Sequence, residues 1–405
     1  MPQSRETVGV YIHVPFCERV CPYCDFAVVA AKHLGEQTEQ RYVKALLCEL
    51  EAAAGAFEGR GLASLYLGGG TPSLLTPASV ARILDAVRDR FGPWAKGSAP
   101  EITLEVNPST VERERLPGFR EAGVNRLSLG AQSFDDDVLR RLGRAHRAPE
   151  NHRSFRAARE AGFDNLSVDL IFGAPGGSPA QLERDLDEIV ALSPDHVSTY
   201  QLTVEPKTPF ATARDRGQLD LPDADVAASL IERIEERLAV VGLARYEVSN
   251  HARPGFESRH NQRYWQREPV LGLGVGAVTS EPAQPGAPHG RRRANTRELP
   301  LYLARTELGE LPTAESEILA ARTARGEAVF LGLRRAVGLS AQAFARDFGE
   351  PPRHWFAAEI ESLAAAELIR EAPGGDLVLT SRGFLLADEV AARFVSSGAC
   401  SVGAA

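Results

Sequence analysis

The segment that decides the fold reads Tyr11-Ile-His-Val-Pro-Phe-Cys17-Glu-Arg-Val-Cys21-Pro-Tyr-Cys24-Asp-Phe26, with three cysteines at the spacing C-x3-C-x2-C after a strand-like run. Three thiolates held close together can bind three irons of a [4Fe-4S] cluster. The fourth iron then has no protein ligand, so a small molecule can chelate it while the cluster passes that molecule an electron. Cys17, Cys21 and Cys24 therefore predict a cluster with one open iron.

Two other uses of these cysteines are disfavoured. His13 or His33 could complete a Cys3His zinc site, but structural zinc sites are usually built from two separated ligand pairs, and the chain has no second pair. A disulfide framework is disfavoured because five cysteines in 405 residues are sparse, and because residues 1–6 lack the apolar core of a signal peptide. Cys48 lies in a helical pattern and is predicted to be a core thiol.

The composition is typical of a globular protein, and the length predicts roughly two to three domains. The chain carries 54 acidic against 46 basic residues, a formal net charge of −8. This balance argues against a broad phosphate-binding surface, so we expect no nucleic-acid partner. No segment has the long apolar run of a transmembrane helix. We therefore expect a cytoplasmic protein with no transmembrane segment.

Short β-branched runs alternate with helical patterns, as in a parallel sheet covered by helices. Helices are predicted near residues 36–54, 77–91 and 178–192. This pattern predicts an α/β fold with a (β/α)6 partial TIM barrel, whose chemistry belongs at the carboxyl ends of the strands. The six predicted strands are residues 8–14, 64–67, 102–106, 126–129, 166–171 and 196–202.

Composition shifts divide the chain into four predicted segments. Residues 1–250 form the barrel, and residues 251–312 form an extension that contains an H-N-x-x-Y-W motif, a glycine-rich run and the loop 281–290. Residues 313–396 have helical spacing, a Gly-Gly turn and a short apolar strand, which predict a helical, winged-helix-like C-terminal domain. It shows no basic recognition helix, so we do not expect it to bind DNA. Residues 397–405 are predicted to be a flexible tail.

Polar and glycine residues follow successive predicted strands. The run Gly68-Gly69-Gly70-Thr71 follows the second strand and lets backbone amides approach a ligand closely. Glu105 ends the third strand. Gln132 and Arg144 follow the fourth strand, and Asp169 lies on the fifth. Because the loops converge at one end of a barrel, we expect these side chains to share a cavity with the cysteines.

The cysteine triad, the glycine run and the order of these polar residues resemble the radical S-adenosylmethionine (SAM) superfamily. Nearly the whole chain resembles one branch of it, which contains oxygen-independent coproporphyrinogen III oxidase and related haem chaperones. The resemblance implies that the open iron binds the amino and carboxylate groups of SAM, and that reduction of the sulfonium can release a 5'-deoxyadenosyl radical. It also implies an electron donor such as a flavodoxin or a ferredoxin.

The resemblance also implies site residues. Cys17, Cys21 and Cys24 match the cluster ligands. Tyr11, Gly69 and Glu105 match contacts to the SAM on the cluster. Val278 matches an apolar contact near the adenine. A second group matches positions that line a second SAM site in the oxidase: Tyr23, Gly70, Thr71, Gln132, Arg144 and Asp169.

Three features favour the haem chaperones over the oxidase. Phe26 stands where the oxidase pattern has a fourth cysteine, and few residues precede Cys17. The motif His260-Asn-Gln-Arg-Tyr264-Trp265 resembles the chaperone signature. It implies haem contact, since imidazole is an axial ligand of haem iron and aromatic rings stack on the macrocycle. The alternative is that His260 caps a turn and Trp265 fills the core. The run 291–293 could pair with haem propionates or form a solvated loop.

The sequence therefore predicts a haem chaperone that binds a [4Fe-4S] cluster and SAM and carries haem to acceptor proteins, among them membrane-associated respiratory proteins. SAM cleavage is left open. The first alternative is oxygen-independent coproporphyrinogen III oxidase, which removes two propionate carboxyl groups to give vinyl groups; the sequence argues against it. A radical SAM enzyme with another substrate is the third reading.

Overall fold

A computed structural model describes residues 6–31, 33–92 and 99–395. The predicted tail, 397–405, lies outside these residues. The strands, in chain order, are β1 (Thr7–Val14), β2 (Phe16–Cys17), β3 (Val29–Ala30), β4 (Gly61–Gly69), β5 (Glu101–Val106), β6 (Arg126–Gln132), β7 (Leu166–Phe172), β8 (His196–Gln201), β9 (Ala244–Arg245), β10 (Asn250–Ala252), β11 (Val270–Leu273), β12 (Val278–Glu281), β13 (Arg291–Asn295), β14 (Thr313–Ile318), β15 (Ile369–Glu371) and β16 (Leu377–Leu379).

Helices connect and flank these strands. In chain order they are α1 (Glu36–Ala53), α2 (Pro77–Phe91), α3 (Thr110–Ala122), α4 (Asp136–Arg141), α5 (Ala148–Glu160), α6 (Pro179–Leu192), α7 (Pro209–Asp215), α8 (Ala224–Val240), α9 (Arg259–Trp265), α10 (Leu299–Glu307), α11 (Ala321–Leu333), α12 (Ala341–Phe348), α13 (Pro352–Ala365), α14 (Ser381–Leu385) and α15 (Ala387–Ala392). Several of the helices that follow a barrel strand have a side-chain cap at the amino end. Before α2, for example, the Thr76 hydroxyl accepts a hydrogen bond from Ser79 N–H.

The predicted partial barrel is confirmed. β1, β4, β5, β6, β7 and β8 lie side by side in chain order, and each pairs in parallel with the next. Their carboxyl ends share one edge, which we call the mouth, and their amino ends share the opposite edge, which we call the floor. Alternate residues of β1 explain the layering: Val8, Val10 and Ile12 are fully buried in the outer core with the helices, while Tyr11 and His13 point inwards.

The sheet extends beyond the six barrel strands on both sides. β11 pairs in parallel with β1, and β12, β13 and β14 follow it in antiparallel order; β10 and β9 extend the other edge. The loop 281–290 closes the hairpin between β12 and β13. β14 pairs with β13, so the main sheet continues past residue 312. The domain limits drawn from the sequence stay a prediction.

The basic run 291–293 is neither a solvated loop nor an open anion site. It forms β13, where Arg293 Nε donates to Glu281 Oε1 at 2.7 Å and Arg292 Nη2 donates to Glu327 Oε1 at 2.6 Å. Arg293 and Glu281 are both buried. Both readings of this run, a solvated loop and pairing with haem propionates, are therefore corrected: the charges of Arg292 and Arg293 are used within the protein.

The C-terminal part is helical with a small two-stranded wing, as predicted. α11 to α15 and the β15–β16 hairpin enclose a separate hydrophobic core that includes Val329, Phe344 and Leu363. Trp265 lies under this domain, with the Arg334 guanidinium 5.1 Å from its ring centre. Among the described residues, no helix is long and apolar enough to cross a membrane.

Candidate functional site

The cysteine triad lies at the mouth of the barrel, in the loop that follows β1. Cys17, Cys21 and Cys24 are free thiols of intermediate exposure. Backbone hydrogen bonds fix the loop: Ala31 N–H donates to Cys17 O at 2.7 Å, and Cys24 N–H donates to Cys21 O at 3.1 Å. The mouth is where parallel barrels place their chemistry. The three thiols thus face the open end of the barrel, as the sequence predicts.

Glycines let this loop pack tightly against its neighbours. A Cβ on Gly70 would lie 2.7 Å from the carbonyl oxygens of Val14 and Phe16 and 3.0 Å from Cys17 Sγ. A Cβ on Gly143, whose φ is +71°, would lie 2.6 Å from Pro22 Cδ. Such distances are shorter than side-chain carbons tolerate, so both positions require glycine. The glycine run therefore positions the cysteine loop. The expected approach of its amides to a ligand is corrected, because the Gly69, Gly70 and Thr71 amides donate to Glu105, Val14 O and Phe16 O.

The donor set fits a cluster ligand site. Burial raises the pKa of the Cys17 thiol to about 12 and also raises the pKa of the Cys24 thiol, and thiolates are the metal-binding form. A metal centre that supplies positive charge would favour the thiolates. Within the described part of the chain, no three His, Cys, Asp or Glu side chains converge on a single metal ion. A [4Fe-4S] cube is larger than a single metal ion, and each thiolate binds a different iron of the cube.

Arg144 brings the polar residues of three loops together beside the triad. Its Nη1 lies 3.7 Å from Cys21 Sγ, and its Nη2 donates to Asn107 Oδ1 at 2.6 Å and to Gly130 O at 3.1 Å. Asn107 Nδ2 donates in turn to Thr71 Oγ1 at 2.8 Å. The Arg144 Nε is buried without a partner. Arg144 is thus an organised cation with a donor to spare at the cysteine loop.

Gln132 joins this group through an unusual backbone conformation. It ends β6 with φ at +65°, in the left-handed region that residues other than glycine rarely adopt. A Cβ on Gly130 would lie 3.2 Å from Gln132 Nε2 and 3.4 Å from Arg144 Nη2. The turned strand end therefore aims the Gln132 amide at the Arg144 cluster. The structure brings Thr71, Gln132 and Arg144 together, as expected from the sequence.

Glu105 links the glycine run to the barrel interior. Its Oε2 accepts from Gly69 N–H at 3.1 Å, and its Oε1 accepts from Tyr66 OH at 2.8 Å. Burial, with a smaller contribution from the nearby Asp169, raises the pKa of the Glu105 carboxyl to about 7. Tyr11 stacks on Tyr66 with ring centres 6.2 Å apart, and its OH lies 3.1 Å from His13 Nδ1. Tyr11, Gly69 and Glu105 thus lie on one wall.

Asp169, Tyr23 and Val278 occupy other parts of the mouth. Asp169 accepts from Ser128 Oγ at 2.9 Å, and burial raises the pKa of its carboxyl. Tyr23 lies beside Arg144 and Cys21 and packs 6.2 Å from the Phe210 ring. Val278 begins β12 at the rim and is 41% exposed. An apolar contact there stays a prediction.

The structure does not place the H-N-x-x-Y-W motif where a haem could reach it. α9 closes the floor: His260 N–H donates to Glu101 Oε1 at 3.0 Å, and Arg263 Nη1 donates to Thr7 Oγ1 at 3.1 Å. The imidazole is 1% exposed, with Nδ1 2.9 Å from Ser64 Oγ and Nε2 3.3 Å from Tyr264 OH.

This packing corrects the expectation of haem contact. Neither nitrogen of His260 is free for an iron. Tyr264 packs edge-on against the imidazole, so its ring is not free to stack on a macrocycle either. Trp265 lies between the barrel and the C-terminal domain, with its Nε1 buried and unpaired. The motif therefore packs into the floor. Trp265 packs internally, as the alternative from the sequence expects, whereas the residue that caps α9 is Ser258 and not His260.

Several site residues escape prediction from the sequence. Asn107 lies two residues after Glu105 in the same strand end, and its position could have suggested a polar role. Tyr66 lies two residues before Gly68, and strand alternation places the two on the same face. Arg126 and Ser128 give no signal, because an isolated polar residue in a strand is usually assigned to the outer surface.

Comparisons with known proteins agree with this geometry. Residues 11–189 match the model of the Radical SAM superfamily, and residues 319–386 match the HemN C-terminal domain. A Bacillus subtilis protein named Heme chaperone HemW is 34% identical over 96% of this chain and 99% of its own length. A Mycobacterium tuberculosis protein of the same name is 39% identical over 96% and 95%.

A solved structure shares the fold. Coproporphyrinogen III oxidase (HemN) from Escherichia coli, described as a radical SAM enzyme, superposes with a TM-score of 0.80 and 25% sequence identity. The match covers 96% of this chain and 90% of that one. The same arrangement of barrel, extension and C-terminal domain thus occurs in an enzyme and, by sequence, in proteins named as chaperones.

Proposed function

The chain belongs to the family of proteins named Heme chaperone HemW, within the radical SAM superfamily, and from that membership we propose that it binds a [4Fe-4S] cluster and SAM and transfers haem to acceptor proteins. The observation that carries the proposal is the match to two such relatives, at 34% and 39% identity, over nearly the full length of both chains. We propose the reducing cytoplasm as its location.

The residues at the mouth support the cofactor part of the proposal. Cys17, Cys21 and Cys24 would hold the cluster, and Arg144 would place positive charge beside the thiolates. A bound cluster would supply an electron and one iron open to SAM. Glu105, which the Gly69 amide holds in place, would fix the polar end of SAM, and Tyr11 would pack in the same wall. Tyr23, Gly70, Thr71, Gln132 and Asp169 would line the remainder of the pocket.

The haem part of the proposal does not use the floor motif as its ligand. His260 is sealed between α9 and the barrel with both ring nitrogens engaged. The proposed partners are haem, haem-accepting proteins such as membrane-associated respiratory proteins, and an electron donor such as a flavodoxin or a ferredoxin. These partners follow from the family and from the cofactor set.

Oxygen-independent coproporphyrinogen III oxidase is the second candidate. The structural match to the Escherichia coli enzyme over 96% of the chain favours it. Against it stand the higher identity to the chaperone-named relatives and Phe26, a half-exposed phenylalanine where the oxidase pattern has a fourth cysteine. The two functions make opposite demands on a porphyrin: a chaperone returns it unchanged, and the oxidase shortens two of its propionates.

The test gives the same reconstituted protein both substrates. Titration with haem under anaerobic conditions is expected to saturate at about one haem per chain, since haem binding depends on discrete axial ligation. Haem should then pass to an apo-haemoprotein, followed by the absorbance of the acceptor. Incubation with coproporphyrinogen III, SAM and reductant should leave the porphyrinogen unchanged. Protoporphyrinogen formed over many turnovers per cluster would instead establish the oxidase.

One variant separates the floor motif from the haem site. His260→Ala is expected to leave the haem stoichiometry and the haem absorbance band unchanged, because neither imidazole nitrogen is free to reach an iron. Exposed His33→Ala is the matched control. A shifted band in His260→Ala alone would mean that α9 leaves the floor when haem binds.

SAM binding is expected to depend on pH through Glu105. The carboxylate is the form that would accept hydrogen bonds from the SAM ammonium, and its pKa is about 7. At a pH below this pKa, the Glu105 carboxyl must lose a proton before SAM can bind. The affinity for SAM should therefore fall by up to about tenfold for each unit that the pH is lowered, and should be constant above the pKa. Tyr66→Phe removes a donor that stabilises the carboxylate, so it should move the rise to higher pH.

Equilibrium binding of SAM to the cluster-loaded protein across this pH range provides the measurement. Glu105→Gln should bind more weakly and with little pH dependence. Glu114→Gln, a change at an exposed carboxylate on α3, should reproduce the wild-type profile. A wild-type affinity that does not change between about pH 6 and 8 would remove Glu105 from the proposed SAM site.

A further inference from the structure

The barrel interior below the mouth is open to solvent although its walls are polar. Tyr200 lies on the inward face of β8, since His196 and Ser198 alternate with core residues, yet it is 43% exposed. Tyr11, Tyr66, Glu105 and Asp169 also point inwards and are only half-buried. These inward side chains are therefore accessible to solvent from the mouth.

Arg126 lies at the floor end of the same inward face. It is the first residue of β6, on the same face as Ser128, and is 2% exposed. Across the described residues, its guanidinium makes no hydrogen bond and no ion pair, and its Nε is buried without a partner. Thr103, its neighbour in the β5–β6 register, is fully buried and its Oγ1 is also unpaired.

The groups around Arg126 are engaged elsewhere. His196 uses both nitrogens, with Nδ1 2.8 Å from Ser167 Oγ and Nε2 2.9 Å from Tyr246 OH. His260 is engaged with Ser64 and Tyr264, and burial lowers the pKa of both histidines, so both are neutral. The charge of Arg126 acts on the buried Asp169 carboxyl and partly offsets the rise that burial causes in its pKa, but Asp169 accepts its hydrogen bond from Ser128. Among the described residues, Arg126 therefore makes no hydrogen bond or ion pair with a carboxylate.

An unpaired guanidinium inside a barrel destabilises the fold, because it has lost its hydration without gaining hydrogen bonds. Five N–H donors in a planar fork match a carboxylate, which can accept two parallel hydrogen bonds. We infer that the barrel binds a carboxylate-bearing ligand below the SAM pocket, with its carboxylate paired to Arg126 and the unpaired Thr103 hydroxyl beside it.

The walls define the class of ligand further. Arg126 begins β6 at the floor end and is 2% exposed, so only a carboxylate on a slender arm could reach it. Tyr200, which is 43% exposed near the carboxyl end of β8, offers aromatic surface to the body of the ligand. A free aliphatic acid and the propionate arm of a tetrapyrrole share this chemistry. The site goes beyond the proposed chaperone function, since it requires no haem ligand.

The first measurement is thermal unfolding of the full, cluster-loaded chain in sodium propionate and in sodium chloride at equal ionic strength. Propionate should raise the wild-type midpoint by about 2 °C or more, because a ligand that binds only the folded state stabilises it. Arg126→Gln should unfold at a higher temperature than wild type in chloride, since the unpaired charge is gone, and should not respond to propionate. Exposed Arg156→Gln is the control and should behave as wild type.

A second measurement separates the two sources of carboxylate. If the ligand is a tetrapyrrole, Arg126→Gln should weaken haem binding by about tenfold or more, and haem dimethyl ester should bind wild type and variant equally. If it is a small acid, only the propionate response should depend on Arg126. The inference is overturned if Arg126→Gln is less stable than wild type in chloride, or if neither propionate nor haem distinguishes the two proteins. Either result leaves the proposed haem transfer to its own assay.

Discussion

Replacing Cys17, Cys21 or Cys24 by alanine is expected to lower the iron bound by the anaerobically reconstituted protein from about four atoms per chain to less than about one. Each thiolate would hold a different iron, so no ligand is redundant. Arg144 contacts only Cys21 within the triad, and no other thiol among the described residues lies in this loop. Iron and sulfide analysis with the visible absorbance of the cluster provides the measurement.

Cys48→Ala is the matched control for the triad. Cys48 is a partly buried thiol on α1, outside the cysteine loop, so its loss should leave the iron content unchanged. Full iron in all three triad variants would refute the cluster site. Stoichiometric zinc in place of iron would do the same, and would revive the Cys3His alternative with His13, whose Nε2 lies 3.0 Å from Ala27 O.

Gly69→Val is expected to abolish the change that SAM causes in the electron paramagnetic resonance spectrum of the reduced cluster. A Cβ on Gly69 would lie 2.4 Å from His13 Cε1 and Nδ1, and φ at this position is +102°. Valine is strained there for both reasons. The strand end must shift, and with it the amide that donates to Glu105.

The matched control is Gly35→Val. Gly35 precedes α1 with φ at −69°, and a Cβ there meets no atom within 4 Å. This variant should keep both the iron content and the response to SAM. Gly69→Val is compared with wild type at equal iron content, because the glycine run packs against the cysteine loop. A normal response to SAM in Gly69→Val would show that the glycine run does not contribute to the SAM pocket.

The sequence by itself determined the barrel and the end of it that carries the chemistry. Runs such as Val8 to Val14 are buried on both faces and paired in parallel, and a parallel strand buried on both sides has a recognisable composition. The loops that follow parallel strands meet at one edge. That rule was sufficient to gather Cys17, Gly69 and Glu105 at the mouth, although they are far apart in the chain.

Only the tertiary structure decided what the remaining polar residues do. His260 looked like a haem ligand because a histidine beside aromatic residues has the right chemistry. Its actual partner, Ser64, lies 196 residues away, on a strand whose register no local pattern specifies.

Arg126 also shows what only the tertiary structure can reveal. Its significance is that no partner is present, and an unpaired group can be recognised only when every neighbour has been placed. Local sequence determines secondary structure through backbone and side-chain preferences, whereas pairing inside a barrel depends on distances between strands that are remote in the chain.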